Sequence, residues 1–401
     1  MKNCLIYLIS PTHFISAISA IKSLYPDSPV NITILVHWPW INMEVVNEIY
    51  DIINKFSKNY DFINKIKPVS SQQKEEFLSS NNIELAINVL KNQIGKDCFD
   101  EIYYSHDIDG GMYQFLCSSY PDAQRICFGD CLGNVYEKEI LLSLLKPVKK
   151  TQSILSLAKR LIKVIFKIPQ QQQKKIIVFQ DFKPHQAVLI LPVDQSGNFF
   201  ENIPLTVCKK DIVMKITEQC ISCTAELQNY ITNILTKYNG YEKYLLLTEN
   251  HAEANFIDFD KEIEMYSSLI NKYCHRGSVV FLKSHPGETL PRNEKIKEKI
   301  SDNFEIVELD KKFKRYPVEI WKNLVINCNV ICMSYPVLSL KYLYNLDVIQ
   351  PMNNELIEKW FNDWTWASYK NNITLCTEPT KNLANWDGNS VLYAGNISKA
   401  V

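Results

Sequence analysis

Short apolar, β-branched runs alternate along most of this chain with longer segments of helical period, and that alternation restricts it to parallel sheets flanked by helices. In the first half the strand-like runs are Leu5–Ile9, Ile32–Val36, Phe62–Ile66, Glu101–Ser105 and Gln124–Phe128. Helical stretches between them include His13–Leu24, Asn42–Phe56 and Gln72–Leu90. A second series is expected to begin near Ile176, with strands Ile176–Phe179, Val188–Leu191, Tyr244–Leu247, Val279–Leu282, Phe304–Val307 and Val330–Met333. Its helices are read at Asp211–Leu235, Asp260–Tyr273, Pro317–Leu324 and Val337–Tyr344. The economical reading is two consecutive α/β domains: residues 1–150, a basic linker over 151–175, a second domain over 176–350, and a tail over 351–401. Trp360, Phe361, Trp364 and Trp366 in the tail read as a helix packing across the domains.

With 401 residues, 46 % of them apolar, the chain has material for two cores. Basic and acidic side chains number 44 each, so no positive excess exists to displace counterions from nucleic acid, which is excluded as a partner. The zero sum conceals a local excess. Lys146–Lys175 carries nine basic residues and no acidic one, and its middle, Ile154–Phe166, puts apolar residues on one helical face with lysines between. Interfacial membrane helices and solvated interdomain helices share that pattern, and both readings stand. No run approaches the ~18 uncharged apolar residues of a spanning helix. The apolar run at the N-terminus is too short for a signal peptide, so the expected location is the cytoplasm, with the inner membrane face as a contact surface if the basic segment is interfacial. Twelve cysteines are scattered without a second close pair to complement Cys220 and Cys223, which reads as reduced thiols and no metal site.

In open parallel sheets ligands sit beyond the carboxyl ends of the strands, so the loops there carry the functional reading. After the first strand, Ser10-Pro11-Thr12-His13 turns into a helix; Thr12 is either its N-cap or, with the free N–H groups, a holder of an anion or sugar hydroxyl. After the fourth come His106, Asp107 and Asp109 before paired glycines, either a solvated turn or a site loop. The fifth ends in Phe128-Gly129-Asp130-Cys131-Leu132-Gly133, a lone carboxylate between glycines that suits a general base or an ordinary turn. Later, Lys283-Ser284-His285-Pro286 follows a strand. Pro286 at a first helical position would leave His285 at the positive end of a helix, where it meets a phosphate or is merely structural. Glu319 sits in an expected first helical turn, binding ribose hydroxyls or complementing the dipole. Ser334-Tyr335 precedes the last helix, with Ser334 as N-cap or phosphate donor.

Taken in order, these motifs resemble the bacterial CMP-sialic acid dependent glycosyltransferases of GT-B architecture, among them lipooligosaccharide sialyltransferases and capsule polysialyltransferases. Gly129-Asp130-Cys131 looks like their acidic motif, His285-Pro286 matches their H-P motif, and Ser334-Tyr335 falls where their hydroxyl pair belongs, with Gly129, Cys131 and Tyr335 departing from the pattern. The resemblance implies two Rossmann-like domains with an interdomain cleft. It implies Asp130 as base, with Asp107 or Asp109 as rival, and His285 with Ser334 and Tyr335 on the phosphate of the departing CMP. Glu319 would take the ribose, and Lys283, Ser284 and Pro286 would complete the donor site. Thr12, His13, His106, Asp107 and Asp109 become sugar or acceptor contacts. The implied reaction moves sialic acid or a related nonulosonate, with inversion, to a hydroxyl of a surface glycan on a lipid-linked carrier, with no metal and no cofactor beyond the CMP-sugar. Rivals are a CMP-Kdo transferase, a UDP-sugar 2-epimerase and a noncatalytic glycan-binding protein.

Overall fold

The computed structural model describes residues 1–37, 43–80, 82–105, 112–129, 183–191, 202–334 and 336–362. Seven parallel strands form the first sheet: β1 (Lys2–Leu8), β2 (Val30–His37), β3 (Ile63–Val69), β4 (Glu101–Tyr104), β5 (Gln124–Cys127), β6 (Gln186–Leu189) and β7 (Leu205–Val207), in the order β3-β2-β1-β4-β5-β6-β7. Helices α1 (Pro11–Leu24), α2 (Met43–Ser57), α3 (Ser71–Ser79), α4 (Ile83–Ile94) and α5 (Met112–Ser119) connect the strands up to β5. The second sheet has four parallel strands, β8 (Lys243–Leu247), β9 (Val279–Lys283), β10 (Glu305–Glu308) and β11 (Asn329–Ile331), in the order β10-β9-β8-β11. Around it lie α6 (Lys210–Ser222), α7 (Ala225–Lys237), α8 (Phe259–Tyr273), α9 (Arg292–Ile300), α10 (Lys322–Val325), α11 (Pro336–Tyr344) and α12 (Asn354–Trp360). The fold class is the expected one: two parallel-sheet α/β units.

Their boundary is not where the sequence suggested. The strand read at Val188–Leu191 as part of the second series is β6, and its backbone pairs with β5 through Ile126–Gln186 and Cys127–Ala187. Strand β7 extends the same sheet, so the first unit runs to Val207 and the chain changes sheets between β7 and β8 rather than between residues 150 and 176. An apolar run fixes that a strand is buried, not which sheet's hydrogen-bonding edge it joins. Ile176–Phe179 and the basic segment 146–175 lie outside the described residues. Two expected helices are each broken in two. Asn82 caps α4 by accepting from the Leu85 N–H at 3.0 Å, ending the stretch read as Gln72–Leu90, and α6 and α7 divide at Cys223–Thr224.

Helix α1 is buried nearly all round, because β1 and β6 lie on one side and α6 covers the other. One apolar cluster therefore runs from Phe14, Ile18 and Ile34 of the first unit through Val213 and Ile216 of α6 to Leu245, Phe281 and Trp321 of the second. The described part of the tail packs differently from the expectation. Leu356, Ile357 and Phe361 join a cluster confined to the second unit, with Leu246, Tyr266 and Leu282. Trp364 and Trp366 lie outside the described residues. The ten described cysteines are free, Cys220 among them and fully buried. None of the described helices is long and apolar enough to cross a membrane.

Because Ile216 belongs to the core that both units share, Ile216→Ala should cost about 2–5 kcal/mol of stability. Denaturant unfolding followed by circular dichroism measures it, and a loss below about 1 kcal/mol would show the shared core to be unimportant.

Candidate active site

A cavity of about 280 Å³ lies at the carboxyl ends of β8, β9 and β11 and is closed on one side by Thr12 of α1. In the second sheet the strand order reverses between β8 and β11, so the cavity occupies the crevice where parallel sheets bind ligands. Lys283, Ser284, His285, Pro286, Glu319 and Ser334, all expected at the donor site, line it together with Thr248, Glu249, Tyr316 and Ser339.

The His285 loop is not a helix start. Residues 285–288 form a turn closed by the Glu288 N–H donating to the His285 carbonyl at 3.0 Å, and α9 begins only at Arg292. Proline followed by glycine favours such a turn over a helix, which corrects the reading of Pro286 as a first helical residue. Gly287 has a second role. Its N–H donates to His285 Nδ1 at 3.0 Å, and a Cβ there would stand 3.3 Å from the same nitrogen. A backbone N–H can only donate, so Nδ1 is the acceptor and the neutral ring carries its proton on Nε2. Burial, with Lys283 and Arg292 nearby, pushes the imidazole down to about 4, so at neutral pH His285 offers an uncharged N–H donor.

Lys283 supplies the cavity's cation. Burial lowers it to about 8; its Nζ donates to the Lys314 carbonyl at 3.2 Å and lies 5.4 Å from the centre of the Trp321 ring. Among the described residues no carboxylate pairs with it within 4.0 Å. Ser284 is engaged elsewhere: its hydroxyl donates to Glu288 Oε1 at 2.9 Å and accepts from Asn293 Nδ2 at 2.9 Å, so it shapes the loop rather than offering its hydroxyl to a ligand. Behind both stands Arg292, fully buried, bonded to Glu262 at 2.8 Å, Glu288 at 2.7 Å and Glu253 at 2.5 Å.

Glu319 lies on a 3₁₀ turn, Val318–Ile320, not in the first turn of a longer helix, and accepts from Ser339 Oγ at 2.6 Å. Burial raises its carboxyl above the ordinary range. Ser334 does not cap α11 with its side chain; its hydroxyl donates to Glu249 Oε1, while its carbonyl accepts the Val337 N–H at 3.1 Å. Glu249, in a stretch that only weakly echoes the family resemblance, is a cavity residue to which sequence reasoning assigned no role. It follows β8, and its N–H donates to the Tyr266 hydroxyl at 2.7 Å. Burial pushes its carboxyl up to about 7 against the lowering effects of Ser334, Arg292 and Lys283. Its position in Thr248-Glu249-Asn250, just after a strand, was the available signal.

In the first unit, Ser10 rather than Thr12 is the N-cap, its Oγ accepting from the His13 N–H at 3.4 Å, because α1 starts two residues early at Pro11. Thr12 reaches the cavity. His13 does not: it is buried, 3.5 Å from the Ile9 N–H and the Ser105 hydroxyl, with Phe128 edge-on to its ring. Gly129, just before Asp130, has φ +76°, which favours glycine. Asp130, His106, Asp107, Asp109 and Tyr335 lie outside the described residues. The two units meet at this site, since Arg315 bonds both the Pro286 carbonyl and Glu48 of α2, and Lys55 Nζ donates to the Tyr316 hydroxyl at 3.1 Å.

A family model described as alpha-2,8-polysialyltransferase (POLYST) matches residues 5–322. The chain belongs to that polysialyltransferase family. It is therefore a glycosyltransferase of the sialyltransferase class, and the match contains Glu249, the His285 loop and Glu319 but stops short of Ser334. No curated protein sequence matches this polysialyltransferase-family chain. Among solved structures it is similar to an alpha/beta-galactoside alpha-2,3-sialyltransferase from Photobacterium phosphoreum, at 14 % identity over 89 % of this chain and 94 % of that one, with a TM-score of 0.42. It is also similar to a UDP-GlcNAc 2-epimerase from Neisseria meningitidis (11 % identity, 84 % and 79 % covered, TM-score 0.46) and to the E. coli heptosyltransferase WaaC with ADP (10 %, 88 % and 89 %, 0.38).

Two expectations follow from the geometry. Arg292→Ala leaves three carboxylates, Glu253, Glu262 and Glu288, without their shared cation, and should cost about 3–5 kcal/mol in denaturant unfolding. Nitrogen-15 NMR of His285 should show the Nε2–H tautomer with no titration between pH 5.5 and 8; a midpoint in that window would contradict the assigned Nδ1 acceptor role.

Proposed function

We propose that this protein transfers sialic acid, or a related nonulosonate, from its CMP-activated donor to a sugar hydroxyl of a bacterial surface glycan, inverting the anomeric carbon without a metal. The observation that carries the reading is the convergence of Lys283, His285 Nε2–H and the Ser334 hydroxyl on one cavity, with no protein carboxylate paired to the lysine among the described residues. A CMP diester phosphate carries one negative charge, which matches that single cation. As the bond from phosphate oxygen to the anomeric carbon breaks, a second charge develops on the phosphate, and a donor held in place, His285 Nε2–H, lowers the barrier without reorganising. Glu319 suits the ribose hydroxyls, because its carboxyl lines the cavity and is held by Ser339 Oγ, which donates to its Oε1.

The acceptor hydroxyl loses its proton as it attacks, and Asp130, following Gly129 at the tip of β5, is the base in this reading, with Asp107 or Asp109 as the alternative. Entry of the acceptor from the Thr12 side gives the two units separate tasks, donor on the second and acceptor on the first. The basic segment 146–175 supports an acceptor held at an anionic membrane surface, as a lipid-linked glycan would be.

Incubation with CMP-sialic acid, CMP-Kdo and UDP-sugars, scoring free nucleotide with and without galactose-terminated acceptors, tests the proposal. Acceptor-dependent release of CMP from CMP-sialic acid is expected; consumption of UDP-sugars alone would overturn it. In the same assay His285→Ala should lose at least about a hundredfold in turnover, and His285→Gln, which restores an N–H donor, should recover part of it.

A further inference from the structure

We propose that Glu249 is a positioning residue that takes up a proton when the donor phosphate enters the cavity, and thereby turns the Ser334 hydroxyl from Glu249 toward that phosphate. The inference rests on the CMP-donor reading and adds to it a residue and a proton. Both side chains line the cavity, and the Ser334 hydroxyl, with its single proton, donates to Glu249 Oε1. While that bond stands, Ser334 has nothing to donate to a ligand. A carboxylate beside an incoming phosphate is repelled by it, and a carboxylic acid is not. Protonation therefore removes the repulsion and reverses the bond: Glu249 O–H donates to Ser334 Oγ, and the Ser334 proton is free for a phosphate oxygen. No bond between heavy atoms changes. One proton enters from solvent with CMP or its sugar and leaves with the departing nucleotide.

The surroundings fit such a change. Glu249 is anchored through its backbone, with its N–H held by Tyr266 of α8, so the carboxyl alone has to respond. Lys283 of β9 and Arg292 of α9 favour its ionised form, Glu262 of α8 disfavours it, and burial brings the balance to about 7, where a small added negative charge shifts the proton. Of the other groups on the cavity, His285 is held neutral by burial, with Lys283 and Arg292 nearby, and Glu319 is already bonded to Ser339.

Calorimetric titration with CMP at pH 7.5, repeated in buffers of different ionisation enthalpy, counts protons taken up on binding. Comparison with Glu249→Gln subtracts those belonging to CMP and to Lys283. The wild type should take up more than about half a proton beyond Glu249→Gln, whose amide imitates the protonated acid and should bind CMP within about threefold of the wild-type affinity at pH 6. Ser334→Ala, which removes the hydroxyl rather than the buried carboxyl, should reduce uptake toward the Glu249→Gln value and weaken CMP. Equal uptake by wild type and both variants overturns the inference while leaving the donor reading intact. Failure of the wild type to bind CMP removes the donor reading, and this inference with it.

Discussion

The site depends on one buried cation. Arg292 has no exposed surface, and its guanidinium gathers Glu253 from the loop after β8, Glu262 from α8 and Glu288 from the loop after β9. Charge burial on this scale persists only when the ion is fully bonded, so the three segments are held to one geometry. From Glu288 the network continues to Ser284 and Thr248, which fixes the ends of β8 and β9 side by side. The His285 ring and the Glu249 carboxyl therefore sit on a frame that is polar inside and braced on both flanks. An apolar frame of equal volume would hold the loops as well, but it would not set the electrostatic background in which those two groups titrate.

Burial dominates that background. It drives His285 down to about 4, Lys283 down to about 8 and Glu249 up to about 7, in each case disfavouring the charged form. Among the described residues the cavity accordingly presents at neutral pH the uncharged Nε2–H donor of His285 and one ammonium, Lys283. His285 discriminates by geometry as well as by charge, because its donor has one direction, set by the Gly287 N–H on the opposite nitrogen. A leaving phosphate that gains charge in the transition state benefits more from such fixed donors than a ground-state diester does.

Much of this was legible in the sequence because strand ends are. The runs from Leu5–Ile9 to Val330–Met333 fall on observed strands wherever the residues are described, and the rule that ligands sit beyond such ends placed His285, Lys283, Glu319 and Ser334 on one cavity. What failed was finer. Pro286 read as a helix start because proline suits that position, but the glycine after it favours a turn, and the turn gives His285 its tautomer. His13 is buried in the first unit beside Phe128, because α1 starts early at Pro11. Glu249 escaped because one carboxylate after one strand has no pattern; its meaning comes from Ser334, 85 positions away. The β6 assignment failed for the same reason, since pairing partners are nonlocal.

Nonlocality also explains why the site belongs to neither unit alone. Arg315 donates to the Pro286 carbonyl, next to His285, and pairs with Glu48 on α2, while Tyr316, on the cavity wall, accepts from Lys55 and packs edge-on against Phe56. The loop that carries His285 is thus tied to the unit that carries Thr12. Any rotation of one unit against the other must break the Arg315 bonds or drag the His285 loop with it, so donor geometry and unit closure are one variable. On the proposed reaction this coupling would matter, because the groups lining the cavity and Thr12 of the first unit would then keep one relative geometry while a hydroxyl is brought to an anomeric carbon.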